Sequence, residues 1–324
     1  MIKDLVSVII PVYNGENYVT NILNSLRNQT YQNLEIFIVN DGSTDNTLQI
    51  LHDYKKYFNN IKIINAKHSS ASGAINKALP LINGEFLIWP DADDVLEENS
   101  IEERVNFLKE HKNYQVVRST SYYFDDKGKV NFRDENIGDL NKENIFLDIL
   151  FNKTFICCGC YMIRTKMFFK IYKDKQIFES PVGQNFQMLL PMLYKYKCHT
   201  INKELYGVYV RDNSHSRTKL TEKEEIKKYE EFERLIDEII KITRIVDKEI
   251  LRQINNWKNN RRYFLYKKYG YKQEALDCIK TLRKEKFISL AESAKRYLRI
   301  KIRNTNIEKT IYQILRRNEP IEAI

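Results

Sequence analysis

At 324 residues the chain can hold one α/β domain of about 220 residues and a smaller appendage. Its 53 Lys and Arg against 43 Asp and Glu leave a formal charge of +10, which favours anionic partners. No run of about 18 apolar residues occurs, which excludes a bilayer-spanning helix, and five cysteines, an odd number, fit a reducing compartment better than a disulfide framework.

The first apolar run, Leu5-Val6-Ser7-Val8-Ile9-Ile10-Pro11-Val12-Tyr13, is rich in β-branched residues and reads as a strand. It contains Ser7 and Pro11, so it does not resemble a signal peptide. Asn14-Gly15-Glu16 reads as a turn and helix cap, after which Tyr18, Ile22, Leu23 and Leu26 recur at helical spacing. Asn28-Gln29-Thr30 matches a glycosylation sequon and is read as chance. A second strand, Leu34 to Val39, ends in Asn40-Asp41-Gly42-Ser43-Thr44-Asp45; Leu48, Ile50, Leu51 and Tyr54 mark the next helix, with Asp45 as a charge in its first turn. Strands at Ile61 to Ile64 and Phe86 to Trp89 flank a helix near Ala74 to Leu81. Such alternation implies a mostly parallel sheet, whose ligands sit at the carboxyl ends of its strands. The polar turns after Val12, Val39 and Trp89 all fall at such ends, so they point to one site.

The third turn is the most acidic. Glu85-Phe86-Leu87-Ile88-Trp89-Pro90-Asp91-Ala92-Asp93-Asp94 is a buried-strand pattern running into three carboxylates in four residues. Their repulsion costs several kcal/mol unless a cation sits among them, which asks for a hard divalent ion with oxygen ligands and sites left for phosphate. An acidic turn that caps the next helix is the other reading, since Val95-Leu96-Glu97-Glu98 follows.

Taken in order, Val8-Ile9-Ile10-Pro11-Val12-Tyr13-Asn14, then Asn40 to Asp45, then Gly84 to Asp94 closely resemble the inverting glycosyltransferase family 2, which has the GT-A fold. The resemblance is strong over about residues 5–100, looser to 218, and does not reach the rest. It implies a Rossmann-like catalytic domain at 1–218, with a nucleotide-sugar-binding half (1–100) and an acceptor-binding half (101–218); charge and helical spacing make 219–324 a basic helical region. Asp41 resembles the residue that reads the base: a carboxylate can accept the N3–H of uracil, whereas cytosine offers a lone pair there. Pro11, Val12, Tyr13 and Asn14 resemble the first nucleotide-binding turn, with Tyr13 stacking on the base. Asp91, with Ala92, corresponds to the carboxylate near the ribose and metal-bound water, and Asp93 to the direct ligand of Mn2+ or Mg2+, which neutralises the departing diphosphate. In Ser72-Gly73-Ala74-Ile75-Asn76 the family's arginine is replaced by Ile75, while Asn76 remains as a donor contact or a structural residue; Lys67 and His68 are candidates for lining the nucleotide cleft. The loop Tyr209 to Arg217 resembles the family's cover over the diphosphate, with Arg211 and Arg217 on phosphate and His215 on metal or phosphate.

The sequence departs from the family at the catalytic base. Where a Glu-Asp pair commonly opens a helix, the chain has Gln184 and Asn185, and neutral amides cannot act as bases. Glu179 is the nearest carboxylate substitute, with Gln184 and Asn185 left to orient the acceptor. Cys157-Cys158-Gly159-Cys160 has no second Cys pair and reads as small buried residues rather than a zinc site.

Between residues 241 and 317 the chain carries 22 Lys and Arg against 7 Asp and Glu. With Trp257, Tyr263, Phe264, Tyr266, Tyr269, Tyr271 and Tyr297, this is what an anionic lipid surface attracts. Ile226, Tyr229, Phe232, Ile236, Ile239 and Ile240 recur at helical spacing and fit packing on the catalytic domain or on another copy. Phe287, Leu290, Ala291, Ala294, Tyr297 and Leu298 alternate with Lys295, Arg296 and Arg299 as a basic amphipathic helix. A nucleic-acid-binding role would leave Asp41, Asp91 and Asp93 without purpose, and a sugar-nucleotide pyrophosphorylase would need a Gly-rich basic loop that Pro11 to Gly15 lacks. The expectation is a metal-dependent enzyme, cytoplasmic and peripheral at the inner face of the cell membrane, moving a sugar from a UDP donor to a growing, lipid-linked surface glycan. A catalytically inactive sugar-nucleotide scaffold is the alternative, and homo-oligomerisation is left open.

Overall fold

A computed structural model describes residues 1–130, 137–210 and 220–301 of the chain. The opening β-branched run forms β1 (Ile2–Val12), whose Val6, Val8, Ile9 and Ile10 are fully buried, as a central strand covered on both faces requires. In α1 (Val19–Arg27) the buried Val19, Ile22, Leu23 and Leu26 follow the helical repeat. The alternation continues through β2 (Leu34–Asp41), α2 (Thr47–Lys55), β3 (Ile61–Ala66), α3 (Ala71–Ala78) and β4 (Gly84–Ile88). β1 lies between β2 and β4 and runs parallel to both, and β3 runs parallel to β2. Register places Val12 beside Asn40 and Asp41 beside Ala66, so these strands end on the same edge.

Beyond β4 the sheet becomes mixed, which the sequence patterns did not foretell. β5 (Val95–Leu96), α4 (Ser100–Glu110), β6 (Val116–Asp125), β7 (Gly128–Val130) and α5 (Phe146–Leu150) are followed by β8 (Tyr161–Arg164), α6 (Thr165–Ile171), α7 (Gln184–Lys195) and β9 (Cys198–Tyr209). The strand order is β3-β2-β1-β4-β8-β6-β9-β5, with β7 on β6. β8 is antiparallel to both β4 and β6, whereas β9 runs parallel to β6 and so returns its carboxyl end toward the acidic turn. Two fully buried arginines support this half through neutral groups. Arg104 donates to the Ser100 and Gly159 carbonyls and the Ser100 hydroxyl, and Arg118 to Thr154, Tyr161 and Thr200.

Contacts divide the chain into two units, Met1–Lys219 with Arg234–Thr243, and Leu220–Glu233 with Arg244–Ile324. The C-terminal helices are α8 (Glu222–Thr243), α9 (Lys248–Tyr269), α10 (Lys272–Lys284) and α11 (Leu290–Lys301). Asp247 caps α9 by accepting the Glu249 and Ile250 N–H groups, and Gly270, at φ 86°, ends it. The second unit has its own core of Tyr263, Ala275, Cys278, Ile279, Leu282, Ile288 and Ile300. This corrects the reading of the aromatic residues as a surface set. Tyr263 is fully buried and Phe264 and Tyr266 pack against the same core, because aromatics supply much of the apolar area in so basic a unit. Among the described residues of this unit, the large apolar side chains that face water are Val246, Tyr271, Phe287, Leu290, Tyr297 and Leu298. No described helix is long and apolar enough to cross a membrane.

Candidate active site

The first two turns of the sheet edge are stitched together. Asn14 adopts a positive φ of 49° and its N–H donates to the Ser43 hydroxyl at 2.9 Å, while its side-chain oxygen accepts the Thr44 N–H at 2.8 Å. Gly15 N–H reaches Thr47 Oγ1 at 2.7 Å, and Glu16 N–H reaches Asp45 Oδ2 at 3.1 Å. Asn14 is therefore a brace between turns, where a donor contact was expected. Asp45 also accepts the Thr47 N–H at 3.0 Å and so caps the start of α2.

Asp41 ends β2 with its side chain buried. Its Oδ1 accepts both the N–H and the hydroxyl of Ser69 at 3.0 Å, and its Oδ2 lies 3.0 Å from His68 Nδ1. The His68 ring stacks on Tyr13 with centroids 4.1 Å apart and planes at 25°. Gly42, at φ +71°, makes the approach feasible, because a Cβ there would stand 2.6 Å from the His68 nitrogen. The structure thus brings Tyr13, Asp41 and His68 together and adds Ser69. Lys67 beside them is exposed.

Asn76 has a different job from the donor contact first considered. Its amide donates to the Ile177 carbonyl at 2.9 Å and accepts the Ile177 N–H at 2.8 Å. One turn earlier, Ser72 Oγ donates to the Ser180 carbonyl at 2.8 Å and accepts the Ser180 N–H at 2.9 Å. These four bonds clamp the segment that carries Glu179 onto α3. Ile75 is fully buried and offers the site nothing.

The acidic turn is organised by β9. Tyr206 is buried; its hydroxyl accepts the Asp91 N–H at 3.1 Å and bonds the Asp94 carboxyl, which also accepts the Tyr209 N–H at 2.9 Å. Gly159 makes room for this tyrosine, since a Cβ there would meet the Tyr206 ring at 2.0 Å. Asp94 is therefore a structural anchor, which leaves Asp91 and Asp93 as the pair with the chemistry of a cation site. Burial, then the charge of Asp93, pushes the Asp91 carboxyl up to about 7. Burial, then Asp91 and Asp93, raises Asp94 as well. Carboxylates crowded in this way need a proton or a cation among them. Among the described residues no three His, Cys, Asp or Glu side chains converge as a metal group. Two carboxylates with the remaining positions open to substrate oxygens is the donor set a hard ion such as Mg2+ accepts, so the pair fits. His215, Arg211 and Arg217 lie outside the described residues.

Glu179 is exposed in the segment before α7. Gln184 opens that helix after Gly183, at φ 68°, and the Asn185 side-chain oxygen is buried without a partner among the described residues. Burial raises the thiols of Cys157, Cys158 and Cys160, in keeping with packed residues rather than reactive ones. Pro11 and Val12 end β1 and Ala92 sits in the acidic turn, with Val12 and Ala92 buried. Tyr206 and Ser69 were not singled out by sequence, because their partners are distant in the chain or carry no local pattern.

A sheet edge that gathers an aromatic ring, a buried carboxylate and an acidic turn is where an α/β protein of this kind places its ligand. The sequence matches the glycosyl transferase family 2 model over residues 7–171, and the chain belongs to that family. An uncharacterised glycosyltransferase of Haemophilus influenzae is 40% identical over 119 residues, 36% of each chain. The putative glycosyltransferase EpsH of Bacillus subtilis is 36% identical over 125 residues, 39% of this chain and 36% of EpsH. The matched stretch thus spans about a third of the length of these relatives. Among solved structures, Staphylococcus aureus TarS 1-349 in complex with UDP-GlcNAc superposes with a TM-score of 0.67 at 21% identity, over 95% of this chain and 91% of that one. The mannosyltransferase PcManGT of Pyrobaculum calidifontis, in complex with GDP-Man and Mn2+, gives 0.56 at 16% identity, over 95% and 83%. These neighbours show that the fold is of the GT-A type.

Proposed function

We propose that the protein is a metal-dependent, inverting glycosyltransferase that moves a sugar from a UDP donor to a growing, lipid-linked surface glycan. The observation that carries this reading is the gathering of Tyr13 and the buried Asp41 with Asp91 and Asp93 on one sheet edge. Asp41 is fitted to accept the N3–H of uracil: Ser69 takes up Oδ1 and shares its N–H with Oδ2 at 3.2 Å, and Oδ2 keeps a lone pair for a further N–H donor. Tyr13 offers the base a face to stack on, and Asp91 stands for the ribose side. Bound between Asp91 and Asp93, Mn2+ or Mg2+ would neutralise the leaving diphosphate. That TarS 1-349 is found with UDP-GlcNAc, and PcManGT with Mn2+, is in keeping with this donor and cofactor. Glu179 is the carboxylate proposed to take the acceptor proton, held near the nucleotide half by the Ser72 and Asn76 clamp.

Gln184 and Asn185 favour a second reading, a scaffold that binds sugar nucleotide without transfer. Metal-dependent transfer from the donor separates the two. The exposed apolar residues Phe287, Leu290, Tyr297 and Leu298, set among Lys286, Lys295, Arg299 and Lys301, support attachment to anionic lipid at the inner face of the cell membrane.

The test of the donor is a calorimetric titration with UDP, GDP, CDP and dTDP, with and without Mn2+. UDP is expected to bind best, with help from the metal, and Asp41→Asn to weaken it by about 1–3 kcal/mol, the worth of a charge-assisted hydrogen bond. Undiminished UDP binding by Asp41→Asn would reject the role given to that carboxylate.

A further inference from the structure

We propose that His68 competes with the nucleobase for one seat, so that a base binds only by displacing the imidazole. This rests on the uridine reading above. That reading gives the base two contacts, a face on Tyr13 and an N–H donated to the Asp41 carboxylate. His68 occupies both places: its ring lies 4.1 Å from the Tyr13 ring at 25°, and its Nδ1 sits 3.0 Å from Asp41 Oδ2 and 3.1 Å from the Asp41 backbone carbonyl oxygen. An imidazole with Nδ1–H in its plane presents to these two groups the same pattern as a uracil with N3–H. Two rings at this separation are in van der Waals contact, so no third ring fits between them. A base on that face of Tyr13 and His68 in its present rotamer exclude each other.

The two ends of His68 are held very differently. Its backbone is fixed, because the next residue donates its N–H to Asp41 at 3.0 Å and the segment rests on Gly42, where any Cβ would collide with the His68 nitrogen. Its side chain is 55% exposed, against 4% for that of Asp41. The ring can therefore rotate into water at the loss of one stack and of the Nδ1 contacts with the Asp41 carboxylate and backbone carbonyl, while Ser69 keeps hold of the carboxylate. His68 is thus an internal stand-in for the base. It sits against Asp41 Oδ2 beside the Ser69 N–H, which reaches the same oxygen at 3.2 Å, and lowers the affinity for any nucleotide in proportion to the time it holds the seat.

The competing arrangement is a wall, in which the base stacks on the outer face of a stationary His68. The two predict opposite signs. In a calorimetric titration with UDP, His68→Ala should bind about five- to tenfold more tightly than the native protein if the ring holds the seat most of the time. In the native protein, the His68 ring protons should resonate upfield under Tyr13 and move downfield as UDP saturates the site. Weaker or equal UDP binding by His68→Ala, or ring resonances unmoved at saturation, would overturn the competition while leaving the uridine site standing. Failure of UDP to bind either protein at millimolar concentration would overturn the uridine reading and the competition together.

Discussion

Replacing Tyr206 with phenylalanine removes a single oxygen at the point where β9 meets the acidic turn. The ring keeps its place against Gly159, so the change opens no cavity of consequence. What is lost is specific: the Asp91 N–H loses its acceptor at 3.1 Å, and Asp94 loses the hydroxyl but keeps the Tyr209 N–H at 2.9 Å. A polar group left without a partner in a buried setting costs about 1–3 kcal/mol, so a loss near 2 kcal/mol is expected. With a urea dependence of roughly 1–3 kcal/mol per molar, the unfolding midpoint should fall by about 1 M. Hydrogen exchange at the Asp91 amide should accelerate by roughly thirtyfold, since each 1.4 kcal/mol is a factor of ten. Urea unfolding followed by circular dichroism, with exchange read by mass spectrometry on the peptide containing residues 89–96, checks both. An unchanged midpoint together with unchanged exchange at Asp91 would show that β9 does not hold the turn.

Glu179→Gln should lower turnover by about 10²–10⁴ with donor binding intact, measured as sugar transfer alongside UDP titration; near-normal turnover would remove Glu179 as the base. Vesicles containing phosphatidylglycerol should carry the protein upward in flotation at low salt and release it near about 0.5 M, because surface attraction decays within a Debye length. Leu290→Gln with Leu298→Gln should abolish flotation at either salt, and equal binding to neutral vesicles would refute the lipid reading.

The first part of the sheet was legible because β1, β2 and β4 are apolar runs largely buried on both faces, and the partly exposed edge strand β3 still carries Ile61, Ile63 and Ile64. β1, β2, β3 and β4 all fall where those runs lie. The other half was not. β8 is only four residues, and β6 turns from fully to half buried along its length, mixing serine, threonine and tyrosine, so neither offers a clean period. Asp41, Tyr13 and the acidic turn stood out through local pattern. The commitment of Asp94 did not, because its partners lie more than a hundred residues away. The same limit explains Asn14 and Asn76, whose side chains could equally have faced a ligand until their partners Thr44 and Ile177 were known. In the basic helices, periodicity revealed an amphipathic pattern but not which aromatics turn inward, and Tyr263 proved to be core.

The pairing of Ser72 with Ser180 and of Asn76 with Ile177 constrains how the protein can be rebuilt. Ser72 and Asn76 sit four residues apart on one face of α3, and each holds both backbone groups of its partner. The segment from 177 to 180 is therefore indexed to a helix of the other half of the domain, as a key is to its keyway. A chimera that imports residues 101–218 from a relative would have to carry the matching residues of α3 with it, or the segment 177–180 would lose the partners that seat it. Substitutions after Pro181, where this indexing ends, leave those four bonds untouched.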